Sequence, residues 1–583
     1  MEDADGAYKV SEVGSLGKLP TTVAEAESSP HWELYKAAMQ EEIKGKMANR
    51  AFEVVRRPIG VHVLKSKWVF TVKYHDDGSI RVVKARFVAC GYSQQEGSDY
   101  DQVFAATLPG VSFRILIAFI ADEDLETDHI DAVKAFTQAT VDRKLYCEMP
   151  DGFVGPDGTC NWVLLMLMAL EGIKQGGYLW FQHNKRAWMS KKIGLVSWFG
   201  EPNLYRHPSL RIRVGVFADD TLAGYGKECE DEYKAIKRAY GELIKIDGFE
   251  LSPAIKFVGV QVQRDRGART ITLHQARYIE QMAEEYKGEF KEQSTPHGET
   301  RADWLAFDRL ALAKDKSEMM DKGLFLKLMG KLVWPTTMTR VDASFNVNVL
   351  CTGCSAPTRE WYEKALGVLG YLVKTKNLGI TFGGRIRIPI GLMEYPTHFE
   401  KNRGLHTYHD SSFGRPRPMG GFVVMYCNGP VDWGAGYLKI VPESSHEAES
   451  AIASRATKAT CFIRQLLINN GMKIYGPTPM LGDNDALHRT VRHEGHSARV
   501  RHYERATLLF KRAVLLLILN ALKISDLDMA ADIFTKPVEK AKFIRMRDYI
   551  MNVHSTLRGS LEDAMVCAVG ASHRMMTNLL RRL

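Results

Sequence analysis

The chain has 583 residues, a formal net charge of +9 and 45% hydrophobic residues. This length allows three or more domains, and the hydrophobic content is typical of a globular protein rather than a disordered chain. The nine cysteines are scattered, which argues against a secreted disulfide scaffold, and the positive charge suits a polyanionic partner. We therefore expect an intracellular protein of the cytoplasm or nucleus that is neither secreted nor bound to a membrane.

The N-terminal part of the chain combines a polar start with a basic strand. Residues 1–30 are polar, and we expect a disordered tail there. Lys84 and Arg86 alternate along a strand-like segment, so both side chains point to one face. Cationic donors on one face can bind phosphate groups, arginine in bidentate fashion, although solvated charges on an exposed strand explain the same pattern. The apolar segment 161–170 is too short to span a bilayer and is predicted to be core.

Carboxylates mark the ends of predicted strands in the next part of the chain. Asp131 ends one strand, and the adjacent pair Asp219-Asp220 follows the alternating segment 211–216. The pattern indicates strand, tight turn and strand, with both carboxylates at the turn. Adjacent carboxylates repel unless a cation lies between them, and Mg²⁺ or Mn²⁺ takes oxygen ligands. A solvated turn explains the pair as well, and a helix cap explains Asp131.

The C-terminal third carries a second set of acids, each at a junction between predicted elements. Asp410 precedes the strand-like segment 421–426, Glu447 and Glu449 open a long predicted helix, and Asp483 ends another strand. Asp532 closes the set near a final helix. Four acids converging in this way can attract two divalent cations, although each acid by itself also fits a helix cap or a surface charge.

The order and spacing of these motifs resemble one family along most of the chain. The chain resembles the reverse transcriptase and ribonuclease H portion of copia-type retrotransposon Pol polyproteins. The resemblance rests on motifs that include Ser66–Phe70, Lys84–Tyr92, Gly172–Gln175, Phe257–Val260, Gly330–Leu332 and Ala530–Pro537. It implies an α/β fold in which a right-hand polymerase with fingers, palm and thumb is followed by a ribonuclease H-like mixed-sheet domain.

The resemblance also implies a role for each candidate residue. In the polymerase, the implied catalytic and metal-binding residues are Asp131, Asp219 and Asp220. The residues implied to bind the incoming nucleotide are Lys84, Arg86, Gln175 and Phe136. Phe136 would crowd the 2′ position of the sugar. In the nuclease, the catalytic and metal-binding residues are Asp410, Glu447, Asp483 and Asp532. Glu447 is preferred to Glu449 because the family pattern places the catalytic glutamate first.

The implied cofactors are two Mg²⁺ or Mn²⁺ ions in each active site. The implied partners are an RNA template, a DNA primer, an RNA–DNA hybrid and deoxynucleoside triphosphates. The expected domains are a disordered tail, fingers and palm, thumb and connection, ribonuclease H and a basic tail, over residues 1–30, 31–265, 266–400, 401–540 and 541–583.

Departures from the family pattern leave alternatives open. Phe217-Ala218 precedes the acid pair where the family has Tyr-Val, Gly176-Gly177 follows Gln175 where the family has Pro-Arg, and Ser412 stands where the family often has a second Asp. The departures near Gln175 and at Ser412 are compatible with a catalytically weak relic that only binds nucleic acid. They are also compatible with a ribonuclease H joined to a crippled polymerase half.

Overall fold

The computed structural model describes residues 8–9, 19–74, 80–298, 304, 319–392, 396–413, 418–493 and 504–553. The chain forms two compact units, each made of two segments. Unit 1 comprises residues 1–109 and 125–254, and unit 2 comprises residues 110–124 and 255–583. No helix among the described residues is long and apolar enough to cross a lipid bilayer.

Among the described residues, unit 1 contains three sheets and four α-helices. The strands are β1 (Tyr8–Lys9), β2 (Phe52–Arg56), β3 (Val63–Leu64), β4 (Ser66–Tyr74), β5 (Ile80–Ala89), β6 (Glu126–Asp131), β7 (Thr140–Glu148), β8 (Trp162–Met168), β9 (Val196–Trp198), β10 (Glu201–Arg206), β11 (Ile212–Phe217) and β12 (Asp220–Tyr225). The helices are α1 (Val23–Glu27), α2 (Trp32–Ala48), α4 (Gly176–Trp188) and α5 (Glu230–Gly241). The strand orders are β1-β5-β4, β6-β12-β11-β10-β9 and β2-β8-β7-β3.

In the five-stranded sheet of unit 1, β11 shows the alternation of apolar and polar residues that is typical of a strand. Ile212, Val214 and Val216 are buried on one face, as the period of two requires. Helices α4 and α5 contribute to the same core, where the rings of Trp188 and Tyr240 stack with their centroids 3.9 Å apart. The predicted strand, turn and strand at the acid pair are confirmed.

Helix α2 contributes to the other core of unit 1, together with residues of β4 and β5. Its buried positions recur at the spacing of one helix face, namely Tyr35, Ala38, Met39, Ile43 and Lys46. The apolar segment 161–170 becomes the buried strand β8, with Val163 and Leu164 nearly inaccessible. The prediction that this segment is core is therefore confirmed.

Unit 2 begins with a helix whose residues are buried on every side. In α3 (Gly110–Asp122), every residue from Ser112 to Ala121 is buried, as expected for a helix without a polar face. The remaining helices are α6 (Ala276–Glu285), α7 (Lys322–Met338), α8 (Ser344–Cys351), α9 (Arg359–Lys374), α10 (Ser445–Asn469), α11 (Asp485–Arg492), α12 (Glu504–Leu515) and α13 (Lys540–Ile550).

The described part of unit 2 contains two sheets. The strands are β13 (Lys256–Phe257), β14 (Val260–Asp265), β15 (Thr270–His274), β16 (Ile380–Gly383), β17 (His406–Ser412), β18 (Met419–Tyr426), β19 (Gly429–Tyr437), β20 (Thr478–Gly482) and β21 (Leu519–Lys523). Four strands are ordered β13-β14-β15-β16, and five are ordered β19-β18-β17-β20-β21. In the second sheet, β17 to β19 are antiparallel and β20 and β21 are parallel additions. The described elements confirm the predicted α/β class, with a mixed sheet of antiparallel and parallel strands in the C-terminal part of the chain.

Both predicted terminal tails include residues that form helices in the structure. Residues 23–27 form α1, with Val23 and Ala26 buried, although disorder was expected through residue 30. The basic tail was expected from residue 541, but α13 extends to Ile550 and buries Phe543 and Met546. Residues 554–583 lie outside the described residues, and the remaining domain boundaries stay predictions.

Candidate active sites

The acid pair lies at a tight hairpin between β11 and β12. Phe217 pairs with Asp220, so the turn itself is Ala218-Asp219. Ala218 has a φ of 55°, in the left-handed region that residues with a side chain rarely adopt. The indole Nε1 of buried Trp180 donates a hydrogen bond of 2.8 Å to the carbonyl oxygen of Ala218. This hydrogen bond from α4 holds the backbone of the turn in place, and the side chain of Asp219 remains exposed.

The third acid is brought to the pair by strand pairing. Asp131 ends β6 directly opposite Asp220 of β12, and side chains that oppose each other in an antiparallel ladder lie on the same face. The backbone N–H of Ala132 donates a hydrogen bond of 3.1 Å to the carbonyl oxygen of Asp219. All three acids line one cavity of about 470 Å³. The resemblance in the sequence predicts this convergence.

Cations and an aromatic ring line the same cavity. Lys84 and Arg86 reach it from β5, and Phe136 reaches it from the 3-10 helix Ala135–Gln138. Lys84 is half-buried, whereas Arg86 is exposed. The cavity therefore combines three carboxylates with cationic donors suited to phosphate oxygens.

Gln175 does not line this cavity, which corrects the expected nucleotide contact. Only 1% of its surface is exposed. Its Nε2 donates to the carbonyl oxygen of Asp99 at 2.8 Å, and its Oε1 accepts a bond of 2.9 Å from Gln94 Nε2. Because both ends of the amide are satisfied inside the protein, the side chain fixes the loop before α4.

Two residues beside the acids were missed by the sequence analysis. Nε2 of His129 lies 3.2 Å from Oδ1 of Asp220. The hydrogen bond with Asp220 raises the pKa of His129 against the opposing effect of burial, and the charges of Asp131 and Asp247 add to the rise. Alternation along β6 places His129 on the face of Asp131, which is a readable signal. Asp247 lies in a loop, and nothing in its local sequence indicates this position.

The second set of acids converges in unit 2. Asp410 is in β17, Asp483 follows β20, and Glu449 is in α10. One carboxylate oxygen from each lies within 4.8 Å of the others. Burial raises the pKa of Asp410 well above its ordinary value, and the charges of Asp532 and Glu449 raise it further. Burial and neighbouring carboxylates likewise raise the pKa of Asp483. Such a group of oxygens suits a divalent cation.

Glu449, rather than Glu447, belongs to this cluster, which corrects the choice made from the sequence. The side chain of Ser444 accepts a hydrogen bond of 3.2 Å from the backbone N–H of Glu447, and Glu447 Oε2 accepts one of 2.7 Å from the N–H of Glu443. Glu447 thus caps the start of α10 in the manner of a capping box. Glu449 Oε1 instead accepts bonds of 2.8 Å from both the backbone N–H and Oγ of Ser411.

Asp532 lies near the cluster, but two lysines contact its carboxylate. It is fully buried in the 3-10 helix Ala530–Phe534. Lys536 Nζ lies 2.6 Å from Oδ1, and Lys542 forms an ion pair with Oδ2. Burial opposes protonation of Lys536, but the charges of Asp410 and Asp532 raise its pKa overall. Asp532 therefore acts on the cluster through charge, while the lysines neutralise it.

Comparison with known proteins places these sites in context. Residues 49–295 match the family described as reverse transcriptase (RNA-dependent DNA polymerase). The chain is 26% identical over 544 residues to the retrovirus-related Pol polyprotein from transposon TNT 1-94 of Nicotiana tabacum, covering 92% of this chain and 39% of that protein. It is 26% identical over 533 residues to the corresponding polyprotein from transposon RE1 of Arabidopsis thaliana, covering 90% and 34%.

The chain thus spans less than half the length of these relatives. Among solved structures, the foamy viral protease-reverse transcriptase dRH in complex with double-stranded DNA matches 84% of this chain and 69% of that chain. The TM-score is 0.44 and the sequence identity is 9%.

Proposed function

We propose that this chain is an RNA-directed DNA polymerase that also cleaves the RNA of RNA–DNA hybrids. Its residues 49–295 match the reverse transcriptase family, and its relatives are Pol polyproteins of retrotransposons. Its partners in this proposal are an RNA template, a DNA primer and deoxynucleoside triphosphates. The observation that carries the polymerase half is the pairing of Asp131 with Asp220 on adjacent strands, beside Asp219 in one cavity.

In the polymerase site of this proposal, the acids and the cations of the cavity have different roles. Asp131, Asp219 and Asp220 would hold two Mg²⁺ or Mn²⁺ ions, which would supply charge neutralisation for nucleotidyl transfer. Lys84 and Arg86 bind the triphosphate and orient it toward the primer end. The cavity position of Phe136 supports the role that the resemblance implies, crowding of the sugar 2′ position.

In the nuclease site of this proposal, Asp410, Glu449 and Asp483 would hold the metal ions. Their close approach and the raised pKa of Asp410 support this role, because such a cluster is unfavourable without a cation. Ser411 orients Glu449, and Asp532 adds negative charge that Lys536 and Lys542 balance. Destruction of the RNA strand is the step that must follow copying of an RNA template.

The test is a pair of assays on one purified protein. Primer extension on poly(rA)–oligo(dT) and cleavage of a labelled RNA–DNA hybrid are measured with Mg²⁺, and with EDTA as the blank. We expect Asp219→Asn to lose extension by at least about a hundredfold and to keep cleavage, whereas Asp410→Asn loses cleavage and keeps extension. Exposed Asp231→Asn in α5 is the matched control and keeps both activities.

The alternatives predict different results from the same assays. A relic that only holds nucleic acid binds the hybrid without metal-dependent turnover of either kind. A nuclease with a crippled polymerase half cleaves the hybrid without extending the primer. Metal-dependent extension by the unmodified chain excludes both.

A further inference from the structure

We infer that Lys134 is a third cation for the triphosphate of the incoming nucleotide, and that Glu42 holds its ammonium group beside the site until the nucleotide arrives. This inference rests on the proposed polymerase function. It adds to the cavity a substrate-binding residue that the sequence motifs did not indicate.

Lys134 is directed into the acid-lined cavity by an unusual backbone. It lies three residues after Asp131 and lines the same cavity as Lys84 and Arg86. Its φ and ψ are 51° and 50°, a left-handed conformation that is rare for residues other than glycine and that concentrates at functional sites. Its carbonyl oxygen accepts bonds from the backbone N–H and the hydroxyl of Thr137, at 3.0 and 2.8 Å. These contacts fix the backbone and hence the direction of the side chain.

The ammonium group of Lys134 rests against helix α2. Its Nζ lies 3.9 Å from Glu42 Oε2, and the Lys134 side chain is only 17% exposed. A Cβ atom added at Gly45 would overlap this nitrogen, so the absence of a side chain at Gly45 admits the ammonium group. At 3.9 Å the ion pair is longer than a direct hydrogen bond, and the flexible lysine stem leaves the charge able to move.

The other contacts of Glu42 explain why its hold on Lys134 is weak. Glu42 Oε1 accepts a bond of 3.3 Å from the backbone N–H of Phe87 and lies 3.1 Å from Nζ of Lys46. Lys46 is fully buried and also pairs with Glu171. Glu42 therefore already balances a buried charge, and its second oxygen attracts Lys134 only partly. A triphosphate offers several anionic oxygens in place of this one, so transfer of the ammonium group to the nucleotide is favoured.

The test measures nucleotide binding separately from turnover. The chain is bound to a primer–template with a dideoxy-terminated primer, and dTTP with Mg²⁺ is titrated while tryptophan fluorescence is followed. Since a hydrogen bond to a charged group contributes about 1.5–3 kcal/mol, we expect Lys134→Gln to raise the Kd of dTTP about ten- to hundredfold. In primer extension, KM should rise by a similar factor, while kcat and the affinity for the primer–template stay within about twofold.

Two further variants distinguish charge from structure. Lys44→Ala removes a lysine of α2 whose side chain is 78% exposed, and it should leave the Kd of dTTP unchanged. Lys134→Arg keeps a cation at this position, so the Kd should stay within about threefold of the unmodified value.

The outcomes separate this inference from the function on which it rests. If the unmodified chain binds dTTP and Lys134→Gln binds it equally well, the assignment of Lys134 is wrong. A weakening by Lys134→Arg as large as that by Lys134→Gln would also overturn it, because the shape of the lysine rather than its charge would then matter. If the unmodified chain neither binds dTTP nor extends a primer, the proposed polymerase function itself fails.

Discussion

Replacement of Asp410 by asparagine is expected to stabilise the metal-free protein while removing hybrid cleavage. Asp410 is 2% exposed, and its charge is opposed by burial and by Asp532 and Glu449. Asparagine has nearly the same shape, and its carbonyl oxygen can still accept the hydrogen bond that Thr535 Oγ1 donates to Asp410 Oδ2. The substitution therefore removes repulsion without removing the contact.

The expected gain lies in the range of single stabilising substitutions. Such a substitution commonly contributes about 0.5–2 kcal/mol. For a large domain, each kcal/mol raises the melting temperature by about 2–4 °C, so a rise of a few degrees is expected. Because the pKa of Asp410 is raised in the folded state, the folded protein binds more protons than the unfolded one, and stability falls as pH rises above the ordinary aspartate pKa. The advantage of the variant should therefore shrink as pH is lowered from 7 toward 5.

Thermal unfolding in EDTA and in Mg²⁺ measures these effects. Mg²⁺ should raise the melting temperature of the unmodified chain by mass action and should do so much less for Asp410→Asn. Asp485→Asn is the control, because Asp485 is partly exposed at the start of α11 and pairs with Arg489 only along the helix surface. A lower melting temperature for Asp410→Asn than for the unmodified chain in EDTA would refute the reasoning.

Three further changes test other parts of the two sites. Trp180→Phe removes the hydrogen bond to the carbonyl oxygen of Ala218, so primer extension should fall several-fold, by the equivalent of about 1 kcal/mol, while hybrid cleavage measured on the same sample is unchanged. Gly482→Ala places a Cβ 2.8 Å from the buried ring of His409, and overpacking of this kind should lower the free energy of unfolding by about 1–3 kcal/mol, read from urea denaturation. Phe136→Ala should increase incorporation of ribonucleotides relative to deoxynucleotides in primer extension, and an unchanged ratio would remove Phe136 from sugar selection.

The convergence of Asp131, Asp219 and Asp220 could be predicted because its signal is local. Alternation along residues 211–216 indicates a strand, and an acid pair directly after it fixes the turn. Asp131 ends another strand, and strand pairing then determines that it opposes Asp220. Alternation along β6 could likewise have indicated His129, which precedes Asp131 by two residues and lies on the same face of the strand.

The wrong assignment of Glu447 to the acidic cluster could have been avoided from the local sequence. Ser444-Ser445-His446-Glu447 has the spacing of a capping box, which assigns Glu447 to the helix start on physical grounds. That assignment leaves Glu449 for the acidic cluster. The preference for the first glutamate came from the family pattern, and the local chemistry of the helix start contradicts it.

Gln175 and Asp532 show what the sequence could not provide. The amide of Gln175 bonds to Gln94, 81 residues away, and no local pattern encodes that contact. Lys536 lies four residues after Asp532 and is a readable partner on a helical turn, whereas Lys542 reaches the same carboxylate from α13. That helix was itself mistaken for a tail because its basic residues obscured the helical spacing of its buried positions.

The measurement that tests the central claim most directly is primer extension by Asp131→Asn, because Asp131 joins the acid pair only through the fold of unit 1. With Mg²⁺ and poly(rA)–oligo(dT), we predict that the unmodified chain extends the primer. The variant should lose extension by at least about a hundredfold and cleave the RNA–DNA hybrid at the unmodified rate. Extension by Asp131→Asn at the unmodified rate would contradict the account, since the three carboxylates would then not form one working site.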